Sequence, residues 1–92
     1  MIKTFRHKGL QRLYEDDRVA GVEPDLAERL KDRLALLDAA VRPEDLNRPA
    51  LRLHELKGDR KGTWAIKVNA NWRMTFRFDP DGVTDVDLED YH

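Results

Sequence analysis

Cysteine is absent from this 92-residue sequence, which excludes disulfides, thiolate metal sites and a cysteine nucleophile together. Long apolar runs are absent too. The opening "MIKTFRHKGL" has no stretch of signal-peptide length, and nothing downstream approaches a membrane span. A cytoplasmic protein with no membrane contact is the expectation. Metal-ligand spacing is also missing, because the histidines stand singly on separate stretches; no metal and no cofactor is expected. There is no repeat or linker, and a chain of this size buries only about 60–65 % of its unfolded surface. One small domain over residues 1–92 follows, with one thin core and no room for a deep cofactor cavity.

What the sequence does have is charge, at 38 % of residues, beside an adequate 40 % of hydrophobic ones. This is not the composition of a disordered chain. A net charge of −1 conceals a segregation. Residues 51–78 hold seven Lys and Arg against Glu55 and Asp59, whereas residues 79–92 hold six acids and no Lys or Arg. Asymmetry of this kind says more about partners than the total does.

The hydrophobic period changes once along the chain. "MIKTF" alternates Ile2 and Phe5 with polar neighbours and reads as a short edge strand at most. "HKGLQRLYEDD" sets Leu10, Leu13 and Tyr14 at helical spacing, until Gly21 and Pro24 break the pattern. Pro24 suits a first helical position because its missing N–H would have been unpaired anyway. From there Leu26, Leu30, Leu34, Leu37 and Val41 make one apolar stripe, which Pro43 ends. "PEDLNRP" reads as a single turn. After Pro49 the period becomes two: "LRLHEL", "TWAIKV", "WRMTFRF" and "VTDVDL" read as four antiparallel strands joined by polar turns. The expected class is α+β, with two N-terminal helices packed on one face of a four-stranded antiparallel sheet, with or without an extra N-terminal edge strand.

If the strands pair in order, Arg52, His54, Lys67, Arg73 and Arg77 share the polar face, and Lys57, Arg60 and Lys61 flank it from a turn. Arg73 and Arg77 stand about 13 Å apart on one strand. Such a face suits a phosphate backbone, and equally a face charged only for solubility. The ending "LEDYH" adds an acid, a phenol and an imidazole as Asp90, Tyr91 and His92. His92 is the natural proton carrier near neutral pH, and the α-carboxylate and Asp90 beside it favour the imidazolium. Tyr91 can hydrogen-bond a phosphate oxygen or stack on a base, and Arg73 offers a planar fork. These are the parts of a metal-independent ribonuclease. Such an enzyme needs a base for the 2′-hydroxyl, cations for the five-coordinate phosphate and an acid for the leaving 5′-oxygen. Asp90, His54 and His92 are candidates for the proton work, and Arg73 and a lysine for the charge; the plainer reading is a solvated tail.

The stretches "FRHKGL", "PEDLNRP", "LRLHELKGDRKGTWAIKVNANWRMTFRF" and "DVDLEDYH" follow one another along nearly the whole chain. On these the sequence resembles the HigB group of type II toxins in the RelE/ParE superfamily. The resemblance implies a RelE-like microbial ribonuclease-type fold and a growth-inhibiting toxin that enters the ribosomal A site and cuts mRNA there. It implies active-site positions at His54, Asn71, Arg73, Asp90, Tyr91 and His92. Asn71 is the addition; its plainer reading is a turn residue. Lys57, Arg60, Lys61, Lys67 and Arg77 are then expected to hold rRNA and mRNA phosphates. Trp64 and Trp72 are expected in the core, and His7 as an exposed helix-start residue without a role. The implied partners are a cognate HigA-like helix-turn-helix antitoxin, the ribosome with its mRNA, and operator DNA only through the antitoxin complex. Other superfamily members inhibit DNA gyrase or other steps of ribosome function, so a non-nucleolytic inhibitor is the alternative. Arg73 with the Asp90–Tyr91–His92 end favours the nuclease.

Overall fold

The structure, a computed structural model, describes residues 1–91; the position of His92 lies outside the described residues. Helix α1 runs Lys8–Asp16 and α2 runs Ala27–Ala39. Four strands follow: β1 His54–Glu55, β2 Thr63–Lys67, β3 Trp72–Asp79 and β4 Gly82–Asp90. They pair antiparallel in chain order. The α+β class is as expected, with both helices on one face of the sheet.

The leucine stripe explains why the layers stay together. Leu26, Leu30, Leu34 and Leu37 are buried against Ile66, Met74, Phe76, Val83 and Val86 from the sheet, and α1 adds Leu10 and Leu13. Each such side chain is worth about 1.5–3 kcal/mol when taken out of water. Val41 does not belong to this stripe. The helix stops at Ala39, Ala40 turns into an extended conformation and is buried, and Val41 is left 82 % exposed. Trp64 and Trp72 are half-buried and pack at the margin of the core.

Strand β1 is shorter than the alternation in "LRLHEL" predicts. Leu51 closes a 3-10 turn begun by Pro49, and Arg52 adopts a left-handed φ of 48°, so pairing starts only at His54. In β4 the apolar residues Val83, Val86 and Leu88 are not evenly spaced. A bulge between the Thr75 and Arg77 registers, at Asp85 with φ 56°, absorbs the extra residue and returns Val86 to the core.

The segment before α1 forms two isolated parallel bridges to β4, Ile2 to Val83 and Phe5 to Val86, and no full strand. These bridges cover the outer edge of β4, which would otherwise present unpaired backbone groups. His7 is the N-cap of α1, its Nδ1 accepting from the Leu10 amide at 3.1 Å. It is half-buried and has a structural role, in contrast to the exposed residue expected.

Candidate active site

The face of the sheet away from the helices is organised in rows set by strand register. One row runs His54, Ala65, Thr75, Asp87 from β1 to β4; the next runs Lys67, Arg73, Glu89. A third pairs Thr63, Arg77 and Thr84. Because side chains in register share a face, His54, Lys67, Arg73 and Arg77 stand together, as the polar alternation predicts. His54 and Arg73 lie two strands across and two residues along from each other, about 12 Å between Cα atoms. Thr75 between them is buried, although its alternation places it on the polar face.

Arg60 covers it. From the 3-10 turn Gly58–Arg60 between β1 and β2, its guanidinium reaches over to β4. It donates to both carboxylate oxygens of Glu89, Nη1 to Oε1 at 3.0 Å and Nη2 to Oε2. Arg73 donates to the same Oε1 from Nε at 3.3 Å and Nη2 at 3.1 Å, and Thr75 Oγ1 lies 3.5 Å from Oε2. The paired side chains of Arg73 and Glu89 are only 19 % and 23 % exposed. The Arg60 guanidinium above all, joined by Arg73, holds the Glu89 carboxyl below the ordinary carboxylate range. Glu89 raises Arg60 in turn.

The Arg73 guanidinium also lies 5.8 Å from the centroid of the Tyr91 ring, within cation–π range. Tyr91 is held beside it through its backbone, since its N–H donates to the Asn71 carbonyl at 3.0 Å. The turn bearing Asn71 is built by a different asparagine: Asn69 Oδ1 accepts from the amides of Asn71 and Trp72, both at 2.9 Å. Asn71 has no left-handed φ and is exposed; among the described residues its side-chain amide makes no hydrogen bond. It is a residue of the turn, as its plainer reading has it, with ordinary backbone angles.

His54 is exposed on β1, and its Nδ1 lies 3.0 Å from the Arg52 carbonyl. A carbonyl only accepts, so Nδ1 carries the hydrogen, and in the neutral imidazole Nε2 then holds the lone pair. The left-handed turn at Arg52 that shortens β1 is what aims this carbonyl back. Asp90 is exposed and pairs with Trp72, so strand alternation starts it on the side opposite Arg73 and Glu89. Lys57 and Lys61 are exposed around the turn and Lys67 is half-buried. Arg77 donates to Thr63 Oγ1 at 3.1 Å. With Arg6, Arg60, Thr75 and the acids Asp59 and Asp85, these two line a polar cavity of about 330 Å³. Among the described residues no group of acids and histidines is placed to hold a metal ion.

Residues 3–92 match the family described as RelE-like toxin of type II toxin–antitoxin system HigB. The chain belongs to that family. It is 47 % identical to Endoribonuclease HigB of Proteus vulgaris over 92 residues, all of both chains. It is 38 % identical to Toxin HigB-1 of Vibrio cholerae over 85 residues, which is 90 % of this chain and 88 % of that one. Its fold is shared with YafQ from E. coli, at a TM-score of 0.66 and 14 % identity over 99 % of this chain and 92 % of that chain. The YoeB–YefM complex from Staphylococcus aureus gives 0.64 and 14 % over 100 % and 95 %. At that identity the two structures speak for the fold alone.

Glu89 is the residue of this face that the sequence alone does not single out, since there it is one of six acids at the end of the chain. The available signal was its place opposite Arg73, readable once the strand register is known.

Proposed function

We propose that this toxin is an endoribonuclease that cuts mRNA on the ribosome, using the outer face of its sheet as the active surface. Support comes from the full-length likeness to Endoribonuclease HigB and from the arrangement around Arg73. The single observation that carries the reading is a guanidinium fixed between Glu89 and the Tyr91 ring on a face that also bears His54.

In the reaction, a base takes the proton of a ribose 2′-hydroxyl and O2′ attacks the adjacent phosphorus. The P–O5′ bond breaks as an acid protonates O5′, leaving a 2′,3′-cyclic phosphate and a 5′-hydroxyl. His54 is assigned the base, because Nδ1–H is engaged with the Arg52 carbonyl and the Nε2 lone pair is presented. Arg73 stabilises the charge gathering on the phosphoryl oxygens. The acid is assigned to His92, which follows Tyr91 in sequence. Tyr91 and Asn71 are assigned to the nucleotide, by stacking and by an exposed amide. Asp90, exposed as the last residue of β4, is assigned with His92 to the proton work. Lys57, Lys61, Lys67 and Arg77 are assigned to rRNA and mRNA phosphates.

As a type II toxin, the chain has an antitoxin as its partner. The finer proposals are a HigA-like helix-turn-helix antitoxin and contact with operator DNA only through that complex. The cytoplasm follows as the place of action, and among the described residues no helix is long and apolar enough to cross a membrane.

Programmed ribosomes test this directly. Wild type should cut the mRNA in the presence of EDTA, and His54→Ala and Arg73→Ala should each slow cutting by about 10²-fold or more. Undiminished cutting by both variants would sink the mechanism. Absence of cutting by wild type, with growth arrest retained, would instead mean a binding inhibitor.

A further inference from the structure

The cluster around Glu89 contains more than an ion pair. Two guanidiniums meet at one carboxylate, and they use it differently. Arg60 spends both of its terminal nitrogens on both oxygens, the fork-to-fork geometry in which little of the guanidinium remains for a ligand. Arg73 approaches a single oxygen through Nε and Nη2, and among the described residues its Nη1 has no partner. The outward donors therefore belong to Arg73. Arg60 neutralises the acid on the side that Arg73 leaves open.

We propose that Glu89 is the positioning residue of the active surface: with Arg60 as its counter-charge, it fixes the Arg73 guanidinium beneath Tyr91 as a preassembled phosphate seat. This rests on the endoribonuclease reading. The physical case has three parts. Two cations brought together repel, and the carboxylate between them offsets that repulsion. An arginine side chain otherwise samples many rotamers, whereas this one is anchored from the opposite residue of the next strand and is 19 % exposed. Finally, one acid with two guanidiniums leaves a single positive charge, which matches one phosphodiester. An unpaired carboxylate there would repel the same group. Arg60, expected from the sequence among the phosphate ligands, acts instead through Glu89.

Glu89→Gln keeps the shape and removes the charge. In single-turnover cutting on programmed ribosomes it should lower the rate constant by about a hundredfold, the cost of misplacing one catalytic group by roughly 1 Å. The concentration giving half-saturation should stay level or fall, because a negative charge beside the RNA has gone. The double variant Glu89→Gln/Arg73→Ala should be no slower than Arg73→Ala alone, as expected when one residue acts through the other. An unchanged rate, a rate loss matched by equally weaker binding, or additive losses would each overturn the proposal.

A second readout needs no ribosome. In the free protein, the Arg73 Nε–H NMR signal should exchange slowly with water in wild type and fast in Glu89→Gln. Equal exchange in both would also overturn the positioning role. If wild type itself fails to cut mRNA, the endoribonuclease reading falls, and the exchange measurement still decides what Glu89 does to Arg73. Glu89→Asp, which keeps the charge one methylene closer to the strand, should restore part of the slow exchange; it replaces Glu89→Gln if that variant does not fold at the assay temperature.

Discussion

At Asp38 three separate parts of the chain meet through one carboxylate. Its Oδ1 accepts from the Tyr14 hydroxyl at 2.6 Å and from the Ile2 amide at 3.1 Å, joining α2 to α1 and to the N-terminal segment. The hydrogen bond from Tyr14 is the main cause that holds the Asp38 carboxyl below its ordinary range. The same bond, with partial burial, pushes the Tyr14 phenol up from 10.0 to about 12. The signs oppose each other. Tyr14 contributes stability that is complete below pH 10.0 and disappears as pH rises through about 12. Asp38 contributes stability present above its ordinary 3.8 and lost as pH falls through the lowered value. An ultraviolet titration of the protein minus that of Tyr14→Phe should show one phenolate step near pH 12; a step at 10 would show the bond to be unimportant. Urea unfolding at neutral pH should find Tyr14→Phe less stable by about 1 kcal/mol.

Between elements, two glycines decide how closely the chain can pack on itself. A Cβ on Gly9 in the first turn of α1 would lie 2.1 Å from the Gly21 carbonyl oxygen, and one on Gly21 would lie 2.6 Å from the Gly9 Cα. Backbone meets backbone here, so no rotamer change can relieve an added methyl. Gly9→Ala should therefore cost about 1–3 kcal/mol, which for a domain of this size means about 4–8 °C in Tm per kcal/mol. Thermal unfolding followed by circular dichroism measures it. A Gly9→Ala variant as stable as wild type would mean that α1 can slide away from the 20–22 loop. The sequence showed Gly21 only as a helix breaker and Gly9 not at all, since nothing local announces that two distant glycines will touch.

For the molecule as a whole, the sheet separates two jobs. One face is a dry leucine and aromatic core; the other sets His54 of β1 beside the cations of β2, β3 and the intervening turn, with Glu89 and Asp87 from β4 among them. A net charge of −1 would argue against a polyanion partner if charge were spread evenly. Segregation changes that, because phosphates respond to the field of the face they approach. If Lys57, Lys61, Lys67 and Arg77 each neutralise a phosphate of single-stranded RNA, the logarithm of the binding constant should fall with the logarithm of salt at a slope of about −3. Charge-neutral replacement of one of them should reduce that slope by about 0.7. A slope near zero, measured on ribosomes or on RNA, would mean that the basic face serves solubility.

Period and charge along the chain were enough to determine the helices, the strand order and which face is polar, because alternation and helical spacing are local and leave no second way to bury the leucines. They also placed His54, Lys67, Arg73 and Arg77 on one surface. Only the tertiary structure decided the rest. The left-handed turn that shortens β1 and aims the Arg52 carbonyl at His54 is local but leaves no mark on the period, and the bulge at Asp85 and the sharing of Glu89 by Arg60 and Arg73 depend on residues far apart in sequence. Charge counting registers Glu89 as one more acid on an acidic strand. Its meaning comes from strand register, which puts it opposite one arginine and within reach of another 29 positions away.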